Sequence, residues 1–174
     1  MKSDPCELIL KAIRERRSIR RYTDEVPPRE LILKILDTAI WAPSGLNNQP
    51  WRFVIVWSED VKEKLSKLTK YSGIVKSAKV LIVVLLDRAK MYHQIKDHQS
   101  AGALIQNILL SASACGLGSC WLGEILNRED EVKKTLGLDP KAYELCAVIS
   151  LGYPDDRSKR AGRHPLSSFI LKEL

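Results

Sequence analysis

Hydrophobic and polar positions divide the chain into helical and strand-like stretches. Asp4-Pro5 followed by Glu7 has the form of an N-cap, a first-turn proline and a capping acid, and predicts a helix running to about Arg14. Pro28 opens a second helix, in which Leu31, Ile32, Ile35, Leu36, Ala39 and Ile40 keep the helical period until Pro43 stops it. Pro43 to Pro50, PSGLNNQP, is loop chemistry and leads into Trp51 to Trp57, a run of aromatic and β-branched residues that predicts a strand. A charged helix near Glu59 to Leu68 precedes Val80 to Leu86, which is apolar at every position, as a strand covered on both faces requires.

Between Ala101 and Cys115 the residues Ala101, Ala103, Leu104, Ile105, Ile108, Leu109, Leu110, Ala112 and Ala114 leave no broad polar face. A helix of this kind needs cover all round, and a chain this short favours a second subunit as part of that cover. Gly116-Leu117-Gly118 ends it, and Ser119 to Leu122 predicts a short strand. Asn127 then caps a helix to Leu136 with Gly137 as its stop, and Leu145 to Leu151 predicts another buried strand. The tail ends in Phe169-Ile170-Leu171, which needs apolar cover. Helices and strands mix without βαβ alternation, and no glycine-rich loop joins a strand to a helix, so the class is α+β. With no repeat, low-complexity tract or linker, residues 1–174 are expected to form one domain.

Composition adds a net charge of +7, from 28 Lys and Arg against 21 Asp and Glu. Nucleic acid, an anionic membrane and a phosphorylated small molecule would each attract it, so the positions of the cations matter more than their sum. Arg14, Arg16, Arg17, Arg20 and Arg21 crowd one segment, and Arg157, Lys159, Arg160 and Arg163 another, which points to one focused anion site. Cys6, Cys115, Cys120 and Cys146 form no C-x-x-C pair and read as reduced and structural. His93 and His98 fall on different sides of a helix without completing a ligand set, so no metal is expected. Without a signal-like start or a bilayer-length apolar run, a soluble cytoplasmic protein follows.

An extended segment after the first helix would place Arg16, Ser18 and Arg20 on one side, where guanidinium forks and a hydroxyl suit phosphate oxygens. Equally, the segment reads as a solvated basic helix end. The serine and three amides of the Pro43–Trp51 loop offer donors and acceptors of the kind a flavin's ring edge and ribityl chain need.

The order of these pieces resembles the nitroreductase family. R-R-S-x-R is followed by P-S-x-x-N-x-Q-P-W, by the apolar helix through Gln106-Asn107 to Gly116-Leu117-Gly118, by Trp121-Leu122-Gly123, and by Arg163-His164-Pro165-Leu166. The resemblance implies a mixed, largely antiparallel sheet flanked by helices, and a homodimer with an exchanged C-terminal tail and two flavin mononucleotide (FMN) sites at its interface. It implies that Arg16, Arg17 and Ser18, with Arg160 and Arg163, hold the phosphate and ribityl end, and that Arg20 lies by the pyrimidine edge. Pro43, Ser44, Gly45, Asn47 and Gln49 would reach the same flavin from the other subunit, and Trp121, Leu122 and Gly123 would offer backbone groups near N5. The implied activity takes hydride from NADH or NADPH and passes electrons to a nitroaromatic, quinone or similar acceptor in a ping-pong cycle, with no side chain acting as acid or base. Same-fold dehalogenation, azoline oxidation or flavin fragmentation is the alternative within the resemblance, and a basic nucleic-acid-binding module the alternative outside it. Two departures stand out. Only Asp87 to Gln99 fills the gap where many relatives carry a helical insertion, and Ser100 stands where the family commonly has an acid at the start of the central helix.

Overall fold

Asp4 accepts a hydrogen bond from the Cys6 amide at 3.0 Å and Pro5 occupies the first turn, so helix α1 spans Pro5–Glu15, close to the expected range. The computed structural model describes residues 4–155 and 162–174. The helix buries none of its residues, and Leu8, Ile9 and Ile13 stay exposed on the subunit. Helix α2 (Arg29–Ala39) turns Ile32, Ile35, Leu36 and Ala39 inward. After it come β1 (Trp51–Val56), α3 (Glu59–Ser66), α4 (Ser72–Ser77), β2 (Val80–Asp87), α5 (Gln94–Ala114), β3 (Gly118–Leu122), α6 (Glu129–Thr135) and β4 (Tyr143–Gly152).

The four strands form one sheet in the order β1-β2-β4-β3, and every neighbouring pair is antiparallel. Its mixed character comes from an isolated parallel bridge between Ser18 and Ser119 outside β3's free edge. The interior strands β2 and β4 are buried on both faces, as the unbroken apolar run in β2 requires. Val80, Ile82 and Val84 face α2 and α5, whereas Leu81, Val83 and Leu85 face Leu65 of α3, Val75 of α4 and Val132 of α6. Helices therefore cover both faces, and the fold is the expected α+β arrangement.

Two local expectations change, and one helix appears that no pattern predicted. Helix α5 begins at Gln94, well before Ala101, because the polar residues ahead of the apolar run form its first turns and one of them, Asp97, is buried. In α5 Ala101, Leu104, Ile105, Ile108, Leu109 and Ala112 are buried, while Ala103, Gln106 and Leu110 are only partly covered. Asn127 is not a cap, since it lies inside a 3-10 turn (Glu124–Arg128). Helix α6 starts after it, with Glu129, Asp130 and Glu131 at the positive end of the helix dipole. Helix α4 had no counterpart in the sequence reading, because six residues are too few to display a period. The tail makes one short turn (Leu166–Ser168) and leaves Leu166, Phe169 and Leu171 exposed.

Candidate functional site

Where α1 ends, Arg16 turns to φ −55° and ψ 133°, and the chain runs extended along β3. The Ile19 amide donates to the Ser119 carbonyl at 2.9 Å, and Tyr22 bridges Pro154. Two glycines permit this close approach. A Cβ on Gly118 would lie 2.7 Å from Cγ2 of Ile19, and one on Gly152 would lie 2.9 Å from Cδ1 of Tyr22. The buried Tyr22 hydroxyl donates to the Ile19 carbonyl at 2.8 Å and stands 2.7 Å from the Ser150 hydroxyl. Burial holds this phenol above its ordinary range, so it stays neutral and locks the segment to β4.

The segment assembles several cations in a small space. Burial depresses the Arg16 guanidinium pKa, and the positive charges of Arg163 and Arg17 depress it further, so Arg163 shares this cluster with the segment. Among the described residues none of Arg16, Arg17, Arg20 and Arg163 makes an ion pair with a carboxylate. The Nε atoms of Arg16 and Arg17 are buried with no hydrogen-bond partner. Unpaired buried donors beside like charges are costly, and an anion relieves both costs at once. Arg160 lies outside the described residues.

Farther along, Arg20 lines a cavity of about 250 Å³ with Trp121, Leu122, Gly123, Tyr71 and Glu124. Cys120 forms part of its wall; burial pushes its thiol pKa up, against the opposing pull of Arg20 and Arg16. Glu124 carried no sequence signal, yet its Oε2 accepts from Thr69 Oγ1 at 2.8 Å and from the Lys70 amide at 2.9 Å. These bonds hold its carboxyl below the usual range and clamp the turn bearing Tyr71 against the end of β3.

Pro43 to Gln49 lies elsewhere. It enters β1 where Trp51 pairs with Leu86, next to the start of β4, whereas Ser18 meets Ser119, which pairs with Leu151 near the end of β4. The ten-residue β4 separates the two ends by about 25 Å. Within the loop Leu46, Asn47 and Gln49 have φ of 55°, 54° and 44°, left-handed values that non-glycine residues adopt at a cost. Ser44 Oγ accepts from the Gln49 amide at 3.2 Å, and Tyr92 sits where a side chain on Gly45 would be. The single chain thus brings Arg16, Arg17, Ser18 and Arg163 together, and Arg20 with Trp121, Leu122 and Gly123. It does not bring Pro43, Ser44, Gly45, Asn47 or Gln49 to them.

The model of the nitroreductase family matches residues 13–72 and 66–153. The chain belongs to the nitroreductase family. A provisionally named nitroreductase from Desulfovibrio desulfuricans, solved in complex with FMN, superposes with a TM-score of 0.92 at 46% identity, covering 99% of each chain. A provisionally named NADH dehydrogenase/NAD(P)H nitroreductase from Methanothermobacter thermautotrophicus is 39% identical over 84% of this chain and 77% of its own length. The FMN reductase [NAD(P)H] of Bacillus subtilis is 28% identical over 90% of this chain and 70% of its own.

In this member of the family the Asp87–Gln99 segment holds only a 3-10 turn (Arg88–Lys90) and the first turns of α5, so no separate helix is inserted before the central one. The acid at the start of that helix is Asp97, with Ser100 donating to its carbonyl at 2.8 Å. Ser100 therefore replaces no capping acid; the true helix start already has one.

Proposed function

We propose that residues 1–174 form one FMN-binding domain of a homodimeric oxidoreductase, which draws electrons from NADH or NADPH and passes them to a nitroaromatic, quinone or similar acceptor. The observation that carries this reading is the cluster of Arg16, Arg17 and Arg163, which has two buried unpartnered Nε atoms and no carboxylate among the described residues. A phosphate monoester supplies the oxygens these forks require. FMN, when bound, supplies a two-electron carrier that is reduced by the nicotinamide and reoxidised by the acceptor in ping-pong alternation.

The chain's own residues position and tune. Arg16, Arg17, Ser18 and Arg163 hold the phosphate and ribityl end. Arg20 sets a fixed cation at the pyrimidine edge, which favours added negative charge on that side of the ring. Trp121, Leu122 and Gly123 offer backbone groups to the ring's reactive nitrogen. No side chain serves as acid or base.

A second subunit completes the site. The Pro43–Gln49 loop is at the far end of its own subunit, so a copy turned about a two-fold axis would present Pro43, Ser44, Gly45, Asn47 and Gln49 to the first copy's arginines. The partly covered face of α5, the exposed apolar residues of α1 and the uncovered Phe169 and Leu171 supply apolar surface for such an interface and for exchange of the tail. A cytoplasmic setting fits the four free cysteines. The visible spectrum of the purified protein, with the released cofactor identified, tests the reading; a protein that stays colourless after incubation with FMN and does not retain it on gel filtration sinks it.

A further inference from the structure

Next to the cavity bounded by Trp121–Gly123 lies a larger one of about 620 Å³, and the two share Arg20, Tyr71 and Ile74. Arg20, Arg21 and Lys70 stand around the larger cavity with one carboxylate among the described residues, Asp155. Neighbouring cations on this side of the subunit are paired: Lys76 lies 2.9 Å from Glu63, Lys67 shares that carboxylate, and Lys79 lies 2.8 Å from Asp24. By contrast, Arg21 and Lys70 make no side-chain ion pair or hydrogen bond among the described residues, and the Arg20 guanidinium reaches only the Ser18 carbonyl at 3.4 Å. Tyr71 and Ile74 give the same cavity an apolar wall, and the Glu124 clamp on Thr69 and Lys70 fixes the turn that carries Tyr71.

We propose that this second cavity recognises an anionic substituent on the molecule that exchanges electrons at the site. Arg21 and Lys70 supply the charge, Tyr71 and Ile74 pack against the ring or ribose that bears it, and Arg20 joins this cavity to the cofactor. The inference rests on the FMN reading, because that reading puts the reacting ring at the wall the two cavities share. A phosphate of the dinucleotide donor and a carboxylate on an aromatic acceptor offer the same chemistry to these cations.

Both cations are exposed and make no side-chain hydrogen bond or ion pair among the described residues, so reversing their charge is expected to leave the fold intact. The test uses the FMN-loaded protein and its Arg21→Glu, Lys70→Glu and double variants, with FMN content read first from the visible spectrum. One arm compares NADH and NADPH with the uncharged reduced nicotinamide riboside as donor. The other compares para-nitrobenzoate with para-nitrobenzyl alcohol as acceptor. In one arm the double variant is expected to raise KM for the anionic compound about ten-fold at low salt, with the difference shrinking as salt screens it. In that arm kcat stays nearly constant and the uncharged compound is unaffected. Unchanged KM values in both arms overturn the proposal. So does an equal rise for charged and uncharged compounds, and so does loss of FMN from the variants, which would give these cations to the cofactor. A wild-type protein without FMN would overturn the earlier reading, and this one with it, before any variant is made.

Discussion

The Asn48 side-chain amide donates to Asp97 across 2.7 Å and so ties the Pro43–Gln49 loop to the first turn of α5. Asp97 is buried and also accepts from the backbone amides of Tyr92 at 3.0 Å and His93 at 2.9 Å. A loop with three left-handed non-glycine residues needs such an anchor, and one carboxylate supplies it from inside the subunit.

Burial pushes the Asp97 carboxyl upward, but the donors from His93, Asn48 and Tyr92 outweigh it and leave the pKa below its ordinary value. A depressed folded pKa contributes stability that is present above the unfolded value of about 4 and is lost as pH falls through the folded one. Asp97→Asn should therefore lower the thermal midpoint at neutral pH and lose less than the wild type on acidification. Asp97→Ala should cost about 1.5–3 kcal/mol at pH 7, the scale of a hydrogen-bonded charge. Thermal unfolding across acid pH checks both; parallel wild-type and Asn curves would remove the role given to the carboxylate.

Gly118→Ala places a methyl 2.7 Å from Ile19 and must push the Arg16–Arg20 segment away from β3. Overpacking of this kind costs about 1–3 kcal/mol. The expected result is a folded protein with weakened FMN binding, measured by fluorescence titration. Unchanged affinity would show that the segment tolerates displacement.

Mutual repulsion among Arg16, Arg17 and Arg163 makes the empty cluster a liability. Arg163→Gln should hold or raise the thermal midpoint of cofactor-free protein while weakening FMN binding, and inorganic phosphate should stabilise the wild type more than the variant. A midpoint that falls in the variant, with phosphate equally effective on both, would argue against an anion site.

Arg20→Met removes the cation that the proposed function sets by the ring. The two-electron midpoint potential of bound FMN should move negative by about 30 mV or more, since about 30 mV corresponds to a ten-fold change in a two-electron equilibrium. Spectroelectrochemical titration reads it directly, and an unmoved potential would take Arg20 out of the ring's electronics.

Glu124→Ala releases Thr69 and the Lys70 amide and frees the turn that carries Tyr71. The expected change is a rise in KM with a smaller change in kcat, and only partial rescue by Gln, which keeps one acceptor oxygen but loses the charge. Steady-state kinetics at constant FMN occupancy make the comparison. A fall in kcat at constant KM would place Glu124 in the chemistry instead.

Much of the fold was legible where local chemistry decides structure. Asp4-Pro5 marked the start of α1, the all-apolar Val80–Leu86 run marked a strand buried on both faces, and PSGLNNQPW marked the loop before β1. Helix α4 escaped because its six residues are too few for a period, and the start of α5 because its first turns are largely exposed and bury only the polar Asp97 and Ser100. Glu124 escaped because a clamp between residues 69 and 124 depends on a contact that no local pattern encodes.

By itself the sequence determined the family, the order of the strands and longer helices and the identity of the arginines, because these depend on residue type and spacing along one chain. Only the tertiary structure decided that Arg163 joins Arg16 and Arg17 without a carboxylate partner among the described residues, that Arg20 stands between two cavities, and that the Pro43–Gln49 loop lies at the other end of the sheet. Those relations join segments far apart in the chain, and the registers and packing of β1, β3 and β4 set them.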